Sequence, residues 1–360
     1  MNSGLEDVVA AETVLSDVDG ANGRLVIRGV SLDDLVKSSS YEDVVGLLLD
    51  GFLPAPENLA DALGTARVEV FSHVASADPG IVALAPVDGL RCLLARLGDG
   101  EDIDTALRLV AAPSVFTAAL LRLRQGLAPI APDAGIGHAA DALRMLTGAM
   151  PAKEQAAALN RYLVTVVDHG LNASTFAARV VASTQAGLTS SALAGLSALK
   201  GPLHGGAPGP VLDMLDGVGA PEDAPAWLEG ALARGERLMG FGHRVYRVRD
   251  PRADALKGAV RLLAESGAIA PGRLALAEAV EQAALDLLKR KKPDRPLETN
   301  VEFYTALLLE ALGFPRDAFT CVFAMGRVSG WIAHAREQAL DGRLIRPMSV
   351  YVGPMPQVAA

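Results

Sequence analysis

Aromatic side chains are scarce in this chain: tryptophan, tyrosine and phenylalanine together make up 4% of its 360 residues. Sheets that lean on aromatic and β-branched residues are therefore disfavoured, and the abundance of alanine, leucine and valine points to close-packed helices. Cysteine is nearly absent. Cys92 and Cys321 are too few for a disulfide framework and lack metal-ligand spacing, which fits a reducing compartment. Basic charge is also in deficit, with 33 Lys and Arg against 42 Asp and Glu and a net charge of −9. A general nucleic-acid binder concentrates Lys and Arg to displace counterions from phosphate, so that class is excluded and any anionic ligand must meet a local basic cluster. No run of 18 uninterrupted apolar residues occurs, and the opening MNSGLEDVVAAET carries acids where a secretory signal carries positive charge and an apolar stretch. The expectation is a protein of the cytoplasm.

What is present is a chain half of whose residues are hydrophobic, long enough for two domains or for one large domain with an insertion. In ETVLSDVDGANGRLVIRGV, residues 12–30, the turn-rich DGANG precedes a short β-like RLVIR and predicts a small hairpin. From Ser31 to about Gly170 amphipathic helix repeats, with breaks at LPAPEN, ADPG, APVDG, LGDGED and APDAGIG. Asn172 and Ser174 are candidate caps for a helix through FAARVVAST. Asp250 before Pro251 is a sharper start signal, for PRADALKGAVRLLAESG, with Gly267 as its stop. In DAFTCVFAMGRVSGWIAHAREQAL, Gly326 and Gly330 lie four apart on one helix face, where another helix can come close. Charge density rises and breakers multiply between 205 and 305. The fold expected is mainly α with a small N-terminal β-hairpin, a large domain of residues 1–205 and 306–360, and a small helical domain of 206–305.

The segment GPLHGGAPGP, residues 201–210, surrounds His204 with four glycines and three prolines, the backbone of a side chain held at a rim. Of the six histidines, His169 in VVDHGLNAST, His204, and His243 in MGFGHRVYRVRDPR sit at irregular, glycine-bearing breaks, where functional groups are presented on a rigid scaffold; His73, His138 and His334 read as structural. The gaps of 35 and 39 residues between the three argue against a zinc site, which on helices shows ligands three or four apart. The GFGH run lacks a preceding strand and the spacing of a dinucleotide loop. Arg244, Arg247, Arg249 and Arg252 crowd within nine residues, either as a solvated face or as carboxylate ligands, and Arg327 interrupts an apolar helix, where its fork needs an acid of the protein or of a ligand. The basic run KRKKPDR at 289–295 could hold phosphates but is most often only a solvated helix end. Glu302 in ETNVEFY falls in the first turn of a helix, where on its own it does no more than favour the helix dipole.

Eight ordered blocks carry a resemblance that runs nearly the whole chain: GLEDVVAAETVLSDVDGANGRLVIRGVSLDDL, SSSYEDVVGLLLDGFLP, DHGLNASTFAARVVAST, GPLHGGAP, MGFGHRVYRVRDPRA, NVEFYTALLLEALGFP, GRVSGWIAHAREQ and IRPMSVYVGP. Together they resemble the citrate synthase family. The resemblance implies a citrate-synthase-like two-domain helical subunit in a homodimer, closing over oxaloacetate and then acetyl-CoA, with the CoA thioester as substrate and no further cofactor or metal. It implies a Claisen condensation with Glu302 as base, His204 as donor to the developing enol oxygen and His243 as donor to the ketone of oxaloacetate. His169, Arg252, Arg327 and, from the partner subunit, Arg346 would hold oxaloacetate. Leu238, Met239, Gly240, Phe241 and Gly242 would receive the adenine of CoA, with Arg247 as a nearby basic contact. Most members carry aspartate where this chain has Glu302, so the base is one methylene longer; glutamate remains a competent base, and activity is expected to be retained. The alternatives are propionyl-CoA as the thioester, giving 2-methylcitrate; a citryl-CoA lyase, which in its familiar forms sits in larger nucleotide-using assemblies; and an impaired relative that only senses a di- or tricarboxylate.

Overall fold

Asp19 starts the predicted turn: its carboxylate accepts from the backbone N–H of Asn22 at 3.0 Å and from its side-chain amide at 2.8 Å, and Gly23 supplies the positive φ of 64° that closes it. The turn joins β1 (Ser16–Asp19) to β2 (Arg24–Ile27), paired antiparallel with Ser16 opposite Ile27. A short β3 (Val30–Ser31), absent from the sequence-based expectation, pairs with β2 and completes a three-stranded sheet. The computed structural model of the chain describes residues 3–5, 8–76, 78–205, 208–294 and 297–356.

Everything else in regular structure is helical among the described residues: α1 (Leu32–Ser38), α2 (Tyr41–Leu49), α3 (Leu59–Phe71), α4 (Pro79–Ala83), α5 (Pro86–Leu94), α6 (Ile103–Arg124), α7 (His138–Thr147), α8 (Lys153–Val166), α9 (Ala173–Ala182), α10 (Leu188–Leu199), α11 (Gly209–Val218), α12 (Ala224–Ala233), α13 (Pro251–Glu265), α14 (Pro271–Lys291), α15 (Val301–Ala311) and α16 (Phe319–Asp341). By length and composition α6 could cross a membrane, but 83% of its apolar window is buried, against α3, α5, α7 and α16. It is the central helix of the core, apolar on all sides because it is covered on all sides.

α16 lies against α6, α8, α9 and α10. A Cβ on Gly326 would come 2.5 Å from Val166 Cγ2 on α8, and one on Gly330 would run into the Val167 carbonyl oxygen, so the paired glycines are what let the two helices touch. Gly195 on α10 does the same for the Trp331 ring. Asn172 and Asp250 cap α9 and α13 as expected, and Gly267, at φ 81°, follows the end of α13; Ser174 lies inside α9 rather than capping it. α11, α12 and α14 pack on one another, while α13 packs on α8, α15 and α1. The chain breaks bearing the three histidines and the start of α15 thus meet around the end of α8 and the start of α13, against the middle of α16.

Candidate active site

His169 follows the end of α8 in a break that is tied down on both sides. Asp168, fully buried, bonds Ser16 Oγ on β1 and lies 3.2 Å from His334 Nε2 on α16, and the Gly170 N–H donates to Ser16 Oγ at 3.0 Å. His169 Nε2 is 3.1 Å from the Tyr246 hydroxyl. A few residues on, Asn172 Oδ1 accepts the N–H groups of Ser174 and Thr175, each at 3.1 Å, to cap α9. Ser174 Oγ receives the Trp331 indole N–H at 3.1 Å and lies 2.8 Å from His204 Nε2. The Ser174 hydroxyl proton has two acceptors within 2.8 Å, Asn172 Oδ1 and His204 Nε2. An imidazole that accepts there carries its own proton on Nδ1. His204 is half-buried, a rim position as its glycines and prolines predict.

The second histidine loop is built by Asp250. Its carboxylate caps α13 through the Arg252 N–H at 3.0 Å, pairs with the Arg252 guanidinium at 2.8 Å, and accepts the Val301 N–H at 3.2 Å, joining α13 to α15. His243 Nδ1 accepts the N–H groups of Val245 at 3.0 Å and Tyr246 at 3.2 Å. Burial first, and then the Arg252 charge, push its pKa down to about 4, so the ring is neutral and its proton sits on Nε2. That N–H faces Arg252 Nη2 at 3.1 Å. Two donors confronting each other call for an acceptor that both can reach from one side, and a carbonyl or carboxylate oxygen supplies one.

Glu302 occupies the first turn of α15, capped by Asn300, whose Oδ1 accepts the Glu302 N–H at 3.0 Å. Asn300 also knits this turn to the preceding loop: its N–H donates to Gly240 O at 2.9 Å and its amide to Gly242 O at 2.8 Å, while the Gly242 N–H donates to Glu298 O at 2.7 Å. Gly240 and Gly242 hold φ of 86° and 82°, and a Cβ on Gly240 would sit 2.9 Å from the Phe303 ring. Glu302 Oε2 is enclosed without a hydrogen-bond partner. Burial raises the pKa of Glu302 to about 7, with Arg252 and Arg237 pulling it down and Asp250 pushing it up. Burial and the Arg327 and Arg252 charges likewise hold His204 at about 4, and burial and Arg252 hold His169 well below its ordinary value. One charged field therefore links His169, His204, His243, Arg252, Arg327 and Glu302. Arg327 is fully buried on α16, donates Nε–H to Val166 O at 2.6 Å and lies 4.9 Å from the centre of the Phe323 ring. Among the described residues it has no ion pair, so its outer fork is left for a ligand.

A family model described as citrate synthase, C-terminal domain, matches residues 4–348. A relative from Mycobacterium tuberculosis described as putative citrate synthase 2 is 40% identical, across 98% of this chain and 93% of its own. This chain belongs to the citrate synthase family. It is an enzyme of that type, a transferase that makes a carbon–carbon bond. The citrate synthase of Pyrobaculum aerophilum superposes with a TM-score of 0.86 at 34% identity, over 99% of this chain and 93% of that one. The Thermoplasma acidophilum citrate synthase, solved as a ternary complex with carboxymethyl coenzyme A and oxaloacetate, gives 0.87 at 29% identity, over 100% and 98%.

Within this citrate synthase direct contacts bring His169, His243 and Arg252 together, and charge coupling ties His204, Arg327 and Glu302 to them, whereas Arg346 and Arg247 show neither link among the described residues. Arg346 is exposed on the C-terminal tail. Arg247 is exposed on the His243 loop, its N–H donating to Gly20 O at 2.8 Å on the hairpin turn. Leu238 and Phe241 are buried, with Phe241 5.4 Å from the Phe303 ring, so these two side chains of the adenine loop serve the core. Arg249 pairs with Asp254 and Glu281, a structural role. His138 is sealed beside Tyr41, and His334 bonds Asp168 and Arg179; both are structural as expected. Among the described residues no three His, Cys, Asp or Glu side chains are grouped to hold a metal ion. Sequence reading missed Ser174, Tyr246, Asp250 and Asn300 as members of the site. Ser174 and Asp250 looked like helix-start residues and Asn300 drew no reading, and only their contacts across 30 to 58 positions reveal the duty at the site.

Proposed function

We propose that this enzyme condenses acetyl-CoA with oxaloacetate to give citrate and CoA. The observation that supports it most directly is an enclosed carboxylate, unpartnered at Oε2 and with a pKa of about 7, placed in one field with three neutral imidazoles and two buried arginines. Glu302 takes a methyl proton of the thioester while His204, protonated at Nδ1, donates to the thioester oxygen as it becomes an enol. The enol carbon attacks the ketone carbon of oxaloacetate. The ketone oxygen becomes an alkoxide within reach of both His243 Nε2–H and the Arg252 Nη2 proton not taken by Asp250. Water then cleaves the citryl thioester, releasing citrate and the free thiol of CoA.

His169, Arg252 and Arg327 hold the oxaloacetate, with Arg346 reaching in from the partner of a homodimer. The loop of Leu238, Met239, Gly240, Phe241 and Gly242 takes the adenine, with Arg247 nearby. Residues 206–305 form the small lobe, which shuts on a large lobe of 1–205 and 306–360. No cofactor beyond the thioester is required. Two free cysteines suit work in the cytoplasm.

The test is release of free thiol with oxaloacetate and either acetyl-CoA or propionyl-CoA. A higher kcat/KM with acetyl-CoA is expected. No release with either thioester overturns the reading in favour of a carboxylate-binding relative, and a propionyl-CoA preference replaces it with 2-methylcitrate synthesis.

A further inference from the structure

Tyr246 touches three of the groups assigned to oxaloacetate and is fully buried among them. Its hydroxyl meets His169 Nε2 at 3.1 Å, its ring lies 4.9 Å from the His243 ring and 5.7 Å from the Arg252 guanidinium carbon, and its own N–H donates to His243 Nδ1. The loop that carries it is fastened independently of the phenol, by the Arg247 N–H on Gly20 O and by Gly20 seated against the Val245 carbonyl. The hydroxyl is therefore spare as far as the backbone is concerned.

It is not spare for His169. The phenol is neutral, since burial pushes its pKa upward, and its proton must point at an acceptor. Among the described residues His169 Nε2 is the one hydrogen-bond partner of this hydroxyl. An imidazole that accepts at Nε2 while neutral bears its proton on Nδ1, and Nδ1 makes no hydrogen bond among the described residues. Were the tautomer reversed, the phenol proton would be left buried without an acceptor, and His169 would present a lone pair to an anionic substrate.

We propose that Tyr246 is a positioning residue that fixes His169 as an Nδ1–H donor toward oxaloacetate, an inference that rests on the functional reading above. The experiment compares the parent enzyme with Tyr246→Phe, His169→Ala and the double variant, measuring oxaloacetate binding by calorimetry without thioester, KM for both substrates, kcat and Tm. In Tyr246→Phe the oxaloacetate Kd and KM rise about tenfold, the step that one hydrogen bond's worth of binding energy gives. KM for acetyl-CoA at saturating oxaloacetate stays within about twofold and Tm within about 2 °C, because the ring packing is kept. In the His169→Ala background the same change adds less than about twofold, since the phenol acts through that imidazole. The proposal is overturned by an unchanged oxaloacetate Kd in Tyr246→Phe, by parallel rises in both KM values with a fall in Tm, or by full additivity in the double variant. A parent enzyme that binds no oxaloacetate overturns the functional reading itself.

Discussion

At the scale of single residues, the chemistry turns on how far a carboxylate can be taken out of water while it still works as a base. Glu302 is competent only when deprotonated, and burial has raised its pKa to about 7. The ratio kcat/KM, which reports the free enzyme, is therefore expected to fall as pH drops below that value, approaching tenfold per pH unit. The imidazoles of His204 and His243, held at about 4, stay neutral over the same range and add no limb of their own. A kcat/KM profile for acetyl-CoA from pH 5.5 to 8.5 checks this; a flat line would remove Glu302 as base. Glu302→Gln is expected to lower kcat by about 10² to 10⁴ with oxaloacetate binding retained. Glu302→Asp withdraws the carboxylate by about 1 Å and should cost on the order of a hundredfold, because the Asn300 cap and the Gly240 and Gly242 bonds fix the backbone from which it reaches. A faster Glu302→Asp enzyme would show that the backbone had never adapted to the longer side chain.

At the scale of elements, what positions the site is contact between backbones. Gly330 brings α16 onto the end of α8 beside Asp168 and His169, and the atom it faces is a carbonyl oxygen, which cannot swing aside. Gly330→Ala is thus expected to destabilise the fold by about 2 kcal/mol or more through overpacking, measured by denaturant unfolding. A stability within about 0.5 kcal/mol of the parent would mean that the helices part freely there. This device was legible beforehand, since two small residues four apart in an apolar helix have few other uses. So were the hairpin turn, the Asn172 and Asp250 caps and the Gly267 stop, each a local preference that one short stretch declares. The third strand and the ladder between residues 240–242 and 298–300 were not, because they are made of N–H and C=O groups that every residue carries. Ser174 and Tyr246 escaped for a related reason: their partners, His204 and His169, lie 30 and 77 positions away.

At the scale of the whole molecule, the tail beyond α16 is the part a single chain leaves unexplained. It is tethered by Arg343 O to the Gln338 amide and by the Ile345 N–H to Ser183 Oγ, then runs outward with Met348 99% and Val352 90% exposed. If Arg346 serves the neighbouring subunit, Glu302→Gln and Arg346→Ala homodimers, each inactive, should regain about a quarter of parent activity when mixed and reassembled, because the mixed dimer keeps one intact site. No recovery would confine each site to its own chain. The ladder from Gly240 and Gly242 to Asn300 has a consequence of another kind. If the loop holds the nucleotide handle and Glu302 is the proton-abstracting group, as proposed, the ladder joins grip and aim in a single mechanical part, so force applied to one is felt by the other. A clipped thioester, acetyl on pantetheine alone, should then turn over more slowly even at saturation, the lost handle appearing in kcat as well as in KM.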